Sequence, residues 1–278
     1  MTMPRWFAAL CLFAAGMACA AQPAPRAAGR VVSLGGSVTE IIYDLGQGGR
    51  LVADDESSLY PEAATRLPRV GYYRAVPLEG VVAQRPDLVL ASENAGPPKT
   101  LERLRGLGVA VKTVSDTPTI DSLYRRIEQV AQELQVPDEG RKLAAQVRQD
   151  VAAARSAPGP SRRALVLVNR SGPLLGAGSH TAAAAVLALA GLENALDKQT
   201  GYKPVSAEGL AVLAPEMIII TDASAQASGG LEKFKAGAGV SATPAAQQGR
   251  VVAMDDLLIL GLGPRVGDAI RQLKAAAR

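Results

Sequence analysis

Two tyrosines and an arginine stand together in Leu67-Pro68-Arg69-Val70-Gly71-Tyr72-Tyr73-Arg74, outside any clear helical or strand period. A free phenol titrates near pH ~10, so it stays neutral unless a strong Lewis acid displaces its proton. Ferric iron is such an acid, a hard cation suited to a hard anionic oxygen, and tyrosine serves as an axial ligand to haem iron. In an extended loop, residues two apart face the same side, so Tyr72 and Arg74 are expected together and Tyr73 opposite. Arg74 would then hydrogen-bond the phenolate or pair with a propionate, and either favours the ionised ligand.

Other chemistry is sparse. The chain holds one histidine, His180, two cysteines, Cys11 and Cys19, and no G-x-S-x-G elbow. A metal site built from several histidines is therefore excluded. Gly35-Gly36-Ser37 lacks the Lys-Ser/Thr that follows in a phosphate loop, so it reads as a tight strand-to-helix turn. The pairs Asp54-Asp55 and Asp255-Asp256 would point apart on a strand and are read as solvated turn residues.

The elements that must position these residues occur twice. Residues 71–92 and 201–222 each run Gly-Tyr, a basic residue, a valine, Glu-Gly, an apolar helical run, then Pro-acid and a strand. The repeat implies two similar lobes with a cleft between them, lined by the two Gly-Tyr loops. In the first lobe RVVSL reads as a buried strand, followed by a turn and a helix in which Ser37 and Glu40 have capping-box spacing. A helix over 99–107, the strand VAVKTVS and a helix over TIDSLYRRIEQVAQEL follow. A second helix, about 138–155, opens with proline and acids and is read as a stiff bridge to the second lobe. There RRALVLVNR, LLGAG and SHTAAAAVLALAG repeat strand, turn and helix, setting Gly178-Ser179-His180-Thr181 where Gly36-Ser37-Val38-Thr39 stands. The expected fold class is thus α/β, with parallel sheets in both lobes. The expected limits are 30–137 for the first lobe, 138–157 for the link and 158–278 for the second lobe.

Residues 1–20 have the pattern of an export signal: Arg5, an apolar run, then Ala18-Cys19-Ala20 as the cleavage site. A lipoprotein alternative, with Cys19 at the new N-terminus, is disfavoured by Gly16 where such sites usually carry leucine. Residues 21–29 form a Pro/Ala-rich leader. Cleavage would remove both cysteines and lower the net charge from +4 to +3, since Arg5 is the one charged residue removed. No basic run accompanies that charge, which argues against nucleic acid. No other apolar run approaches membrane-spanning length, so an exported, non-spanning protein is expected; a monomer is expected as well.

The segments LPRVGYYR, GYKPVSAEGL, TPAAQQGRVVAMDD and LLILGLGPR, with the repeated strand entries, resemble the periplasmic haem-binding proteins of bacterial haem ABC importers. The resemblance spans about residues 30–275. It implies two Rossmann-like lobes joined by a backbone helix, with ferric haem carried in the cleft to an inner-membrane permease. It further implies Tyr72 as axial ligand, Arg74 as the basic residue beside it, and Glu79 and Glu208 as docking acids that meet permease arginines. Tyr73, facing the other way, is expected in core or rim packing rather than in contact with iron, and counts as a weaker haem-binding candidate. Lys203, Lys233 and Lys235 are candidates for the propionates from the second lobe. For His180 a second iron ligand, a second stacked haem and a cleft-edge histidine without iron contact all stay open. A ferric-siderophore or cobalamin carrier of the same architecture is the alternative among binding proteins. A secreted α/β enzyme acting on an anionic substrate is the alternative outside them.

Overall fold

The computed structural model describes residues 29–169 and 172–278. The expected signal, and the leader apart from Gly29, lie outside the described residues.

The first lobe alternates strand and helix: β1 (Val31–Leu34), α1 (Gly36–Asp44), β2 (Leu51–Asp54), α2 (Leu78–Ala83), β3 (Leu88–Ser92), α3 (Pro98–Gly106) and β4 (Ala110–Val114). Its sheet has the order β2-β1-β3-β4, and every pair is parallel. The central strands β1 and β3 are buried along their whole length, because crossover helices cover both faces of a parallel sheet. Two helices then lead away, α4 (Ile120–Glu133) and α5 (Pro137–Ser156), close to the limits expected for them. Thr119 caps α4 by accepting from the Ser122 N–H, and Pro137 starts α5 where its missing N–H costs nothing.

The second lobe contains β5 (Arg163–Val168), β6 (Leu175–Ala177), α6 (Ala182–Leu189), β7 (Glu193–Asn194), β8 (Tyr202–Pro204), α7 (Ala207–Leu213) and β9 (Met217–Thr221). It continues with α8 (Asp222–Ala227), α9 (Leu231–Lys235), α10 (Pro244–Gln247), β10 (Val251–Met254), α11 (Asp256–Leu260) and α12 (Val266–Ala276). The sheet order is β10-β9-β5-β6-β8, with β7 on β5. Strands β10, β9, β5 and β7 run parallel, matching β4, β3, β1 and β2 in turn. Strand β6, however, is antiparallel to both β5 and β8, so this sheet is mixed rather than wholly parallel. The cause is loop length: residues 169–174 are too few for the crossover a parallel neighbour needs. The second Gly-Tyr segment is accordingly an edge strand and not a loop.

Two further expectations are corrected. Helix α1 is entered from Gly35 without any side-chain cap, so the Ser37–Glu40 capping box does not form. The Ser37 hydroxyl accepts from Arg126, and Glu40 pairs with Arg265 of the second lobe. In the second lobe Thr181 is itself the N-cap of α6, so Gly178–Thr181 precede the helix where Gly36–Thr39 lie within one.

One apolar core runs through both lobes. It joins Ile41 of α1, Leu123 and Ile127 of α4, Val147 and Val151 of α5, Val166 and Ile219 of the second sheet, and Ile270 of α12. Helix α5 packs against both α4 and α12. The link is therefore part of a shared core, which limits relative movement of the lobes.

Candidate functional site

The carboxyl edges of the two sheets face each other. Leu257, just after β10, lies where a Cβ on Gly36 at the start of α1 would come within 2.7 Å of it. The Arg126 Nη1 donates to the Leu262 carbonyl at 3.4 Å, and the Arg265 Nε donates to Glu40 at 2.9 Å. Arg265 also lies over the Tyr60 ring at 3.6 Å. Ligands of open parallel sheets bind outside this edge.

The Tyr72 turn is built on the edge of the first sheet. A bridge between Asp54 and Arg69 carries the chain back beside β2, and Val70 N donates to the Asp54 carbonyl at 2.9 Å. Gly71 then adopts φ +88°, a left-handed conformation that favours glycine, and reverses the chain. Tyr72 is extended, and residues Tyr73–Ala75 form a 3₁₀ turn closed by Ala75 N donating to the Tyr72 carbonyl at 2.8 Å.

That turn alters the expected side-chain geometry. In a 3₁₀ turn successive residues are about 120° apart, so alternation between two faces does not hold. Tyr73 does not point away from Tyr72: their rings meet edge-on at 5.0 Å with an interplanar angle of 71°. The Arg74 guanidinium lies 4.8 Å from the Tyr73 ring centroid, over the ring face and beside the paired phenols. Burial pushes the Tyr73 phenol above its ordinary range, and Arg74 offsets only part of that. Tyr73 is thus held neutral as a hydroxyl donor. Burial alone would lower Arg74, but the two phenol oxygens outweigh it and hold the guanidinium charged.

Beneath this cluster Arg126 is wholly buried. It donates to the Ser115 carbonyl and the Ser37 hydroxyl, each at 2.5 Å, and pairs with Asp116 at 2.5 Å. Asp116 in turn accepts from Ser92 at the end of β3. The pairs read as solvated turns are structural instead. Asp54 and Asp55 are fully buried, Asp54 pairing with Arg69 at 2.7 Å and Asp55 accepting from several N–H and hydroxyl groups. Asp255 caps α11 through the Leu258 N–H, and Asp256 accepts from the Ala223 N–H. Sequence reasoning missed Asp55, Arg126 and the Glu40–Arg265 pair. The one visible signal was the Asp-Asp step at the end of a buried strand, where solvation is not available.

The remaining candidates lie on other elements. His180 is exposed, with φ +58°, in the turn between β6 and α6. Lys203 is exposed on edge strand β8. Lys233 and Lys235 lie on α9, and Lys235 is paired with Glu232 at 2.7 Å. Glu79 and Glu208 occupy the first turns of α2 and α7, both exposed. These helices hold the same topological place, each leading into the strand beside β1 or β5. Hydrogen bonds from its own backbone N–H and from Ser206 hold the Glu208 carboxyl below its ordinary value. Among the described residues no group of three or more His, Cys, Asp and Glu could hold a metal ion, and no helix is long and apolar enough to cross a membrane.

A family model described as periplasmic binding protein matches residues 31–258. The chain belongs to this periplasmic binding protein family. That membership places it in the periplasm and among transport components, and sets aside the secreted-enzyme alternative. Among solved structures this periplasmic binding protein is similar to the periplasmic heme-binding protein RhuT from Roseiflexus sp. RS-1 in apo form. The two share 37% identity over 89% of this chain and 97% of that one, with a TM-score of 0.84. It is also similar to the periplasmic heme-binding protein BhuT in complex with two hemes, at 39% identity, 89% and 97% coverage and a TM-score of 0.82. A curated relative, the vitamin B12-binding protein of Yersinia pestis (strain Pestoides F), is 32% identical over 203 residues, 72% of each chain.

Proposed function

We propose that this periplasmic binding protein carries ferric haem between its lobes and delivers it to an inner-membrane ABC permease. The observation that carries the reading is the Tyr72–Tyr73–Arg74 turn, two edge-on phenols beside an arginine, tied to Asp55 just past the carboxyl end of a parallel strand. The likeness to two heme-binding proteins supports it. Tyr72 supplies the axial oxygen to iron, and the Arg74 cation offsets the charge of its phenolate. Tyr73, held neutral by burial, keeps its hydroxyl proton for donation. Lys203, Lys233 and Lys235 offer cations to the propionates from the second lobe, and His180 offers an imidazole on that side. Glu79 and Glu208 align the loaded carrier on the permease. The lobe limits 30–137 and 158–278 with the link 138–157, and a cleaved signal over 1–20, belong to the same reading.

Cobalamin is the second reading, favoured by the vitamin B12-binding relative. Against it, the chain has no tryptophan beyond Trp6, whereas aromatic walls suit a corrin ring. Titration with haemin and with cyanocobalamin separates the two. Haem carriage predicts a Soret band that saturates with haemin and no displacement by cyanocobalamin. Saturable cyanocobalamin binding without a haemin complex would reverse the assignment.

A further inference from the structure

The side chain of Asp55 is fully buried and its two oxygens are crowded with donors. Oδ1 accepts from the Gly35 N–H at 2.9 Å, the Ser57 hydroxyl at 2.9 Å and the Ser58 hydroxyl at 3.1 Å. Oδ2 accepts from the Ser57 N–H at 3.0 Å, the Ser57 hydroxyl at 2.8 Å and the Tyr73 N–H at 3.2 Å. The Tyr73 N–H belongs to the peptide plane that follows Tyr72, so Asp55 fixes the rotation of the Tyr72 backbone on its carboxyl side. The plane before Tyr72 is held by the next residue, since Glu56 N donates to the Gly71 carbonyl at 3.0 Å. Both peptide planes flanking Tyr72 are therefore clamped by the Asp55–Glu56 step. The same carboxylate is tied to the entry of α1 through Gly35, and Ser57 extends that tie by accepting from the Gly36 N–H at 2.9 Å.

We propose that Asp55 is the positioning residue for the Tyr72 ligand, holding its peptide plane so that the phenol meets the iron in one orientation. The proposal rests on Tyr72 being the iron ligand. A ligand held in advance loses little freedom on binding, and partners that orient a metal ligand are commonly worth about 10- to 100-fold in affinity.

The test uses the full chain, with haemin as the probe. Asp55→Ala is expected to weaken haemin binding by about 10-fold or more and to shift the phenolate-to-iron charge-transfer band. Asp55→Asn is expected to fall between it and wild type, because its one carbonyl oxygen can still accept from Tyr73. Thr243→Ala, which removes a buried hydroxyl cap from α10 in the other lobe, serves as a destabilised control. It should lower the melting temperature and leave the band in place. A folded Asp55→Ala with wild-type affinity and band would overturn the proposal, as would a band that moves equally in the control. Where the Asp55 variants do not fold, amide exchange on the wild type decides. The Tyr73 amide should exchange slowly, and exchange at the rate of a solvent-exposed amide would contradict the clamp. Failure of the underlying reading is separately visible: an unchanged band in Tyr72→Phe removes Tyr72 as ligand whatever the Asp55 variants do.

Discussion

Glu40 places a carboxylate where water is excluded, with the Arg265 guanidinium as its facing charge. Burial outweighs the attraction and pushes its pKa up from 4.5 to about 7. Burial also raises Asp54 from 3.8 to about 7 and Asp44 from 3.8 to about 6. For Asp54 the geometry agrees, since its Oδ2 has no hydrogen-bond partner. Between about pH 4 and about pH 7 the folded chain thus holds protons that the unfolded chain has released, so stability falls as pH rises through that window. Glu40→Gln removes one of these groups. Its melting temperature should decline less than that of wild type between about pH 5 and about pH 8, and parallel curves would refute the assignment. The residue types of the candidate site stood out in the sequence, as a Tyr-Tyr-Arg run beside a glycine outside any regular element. Their geometry was not. Alternation assumes an extended chain, and the 3₁₀ turn that replaces it depends on Asp55 and Gly96, whose N–H donates to the Tyr73 carbonyl.

Helices were the easiest elements to read, since α3, α4 and α5 announce themselves through period, proline and acids. The antiparallel detour of β6 and β8 was not legible, because LLGAG and GYK carry the same short strand signals in either direction. Close approach was equally silent. Gly140 on α5 faces α4 so tightly that a Cβ would lie 2.3 Å from that of Ala131. Helix propensity alone predicts that Gly140→Ala stabilises the chain by about 1 kcal/mol. Packing predicts the opposite sign, a loss of about 1–3 kcal/mol, because the helices must move apart. Chemical denaturation of the variant decides between them, and a gain in stability would show that the α4–α5 contact yields without cost.

At the scale of the molecule, the repeat in the sequence disclosed two lobes, but not that they share one core or that Glu40 and Arg265 bridge them. Under the proposed function, a carrier built this way would close little and would release its ligand to a partner that pulls the lobes apart. Glu79 and Glu208, one on each lobe, are suited to that contact. Glu79→Ala with Glu208→Ala should leave haemin affinity within about twofold and reduce transporter-dependent uptake by about 10-fold or more, as loss of interfacial charge pairs does. Undiminished uptake would remove both acids from the docking surface. Tyrosinate ligation by Tyr72 is tested with two proteins. Haemin is titrated into wild type and Tyr72→Phe while the Soret and charge-transfer regions are followed. Tyrosinate ligation predicts a phenolate-to-iron band in wild type that disappears in Tyr72→Phe, together with a large loss of affinity. The same spectrum and the same affinity in both proteins would contradict it.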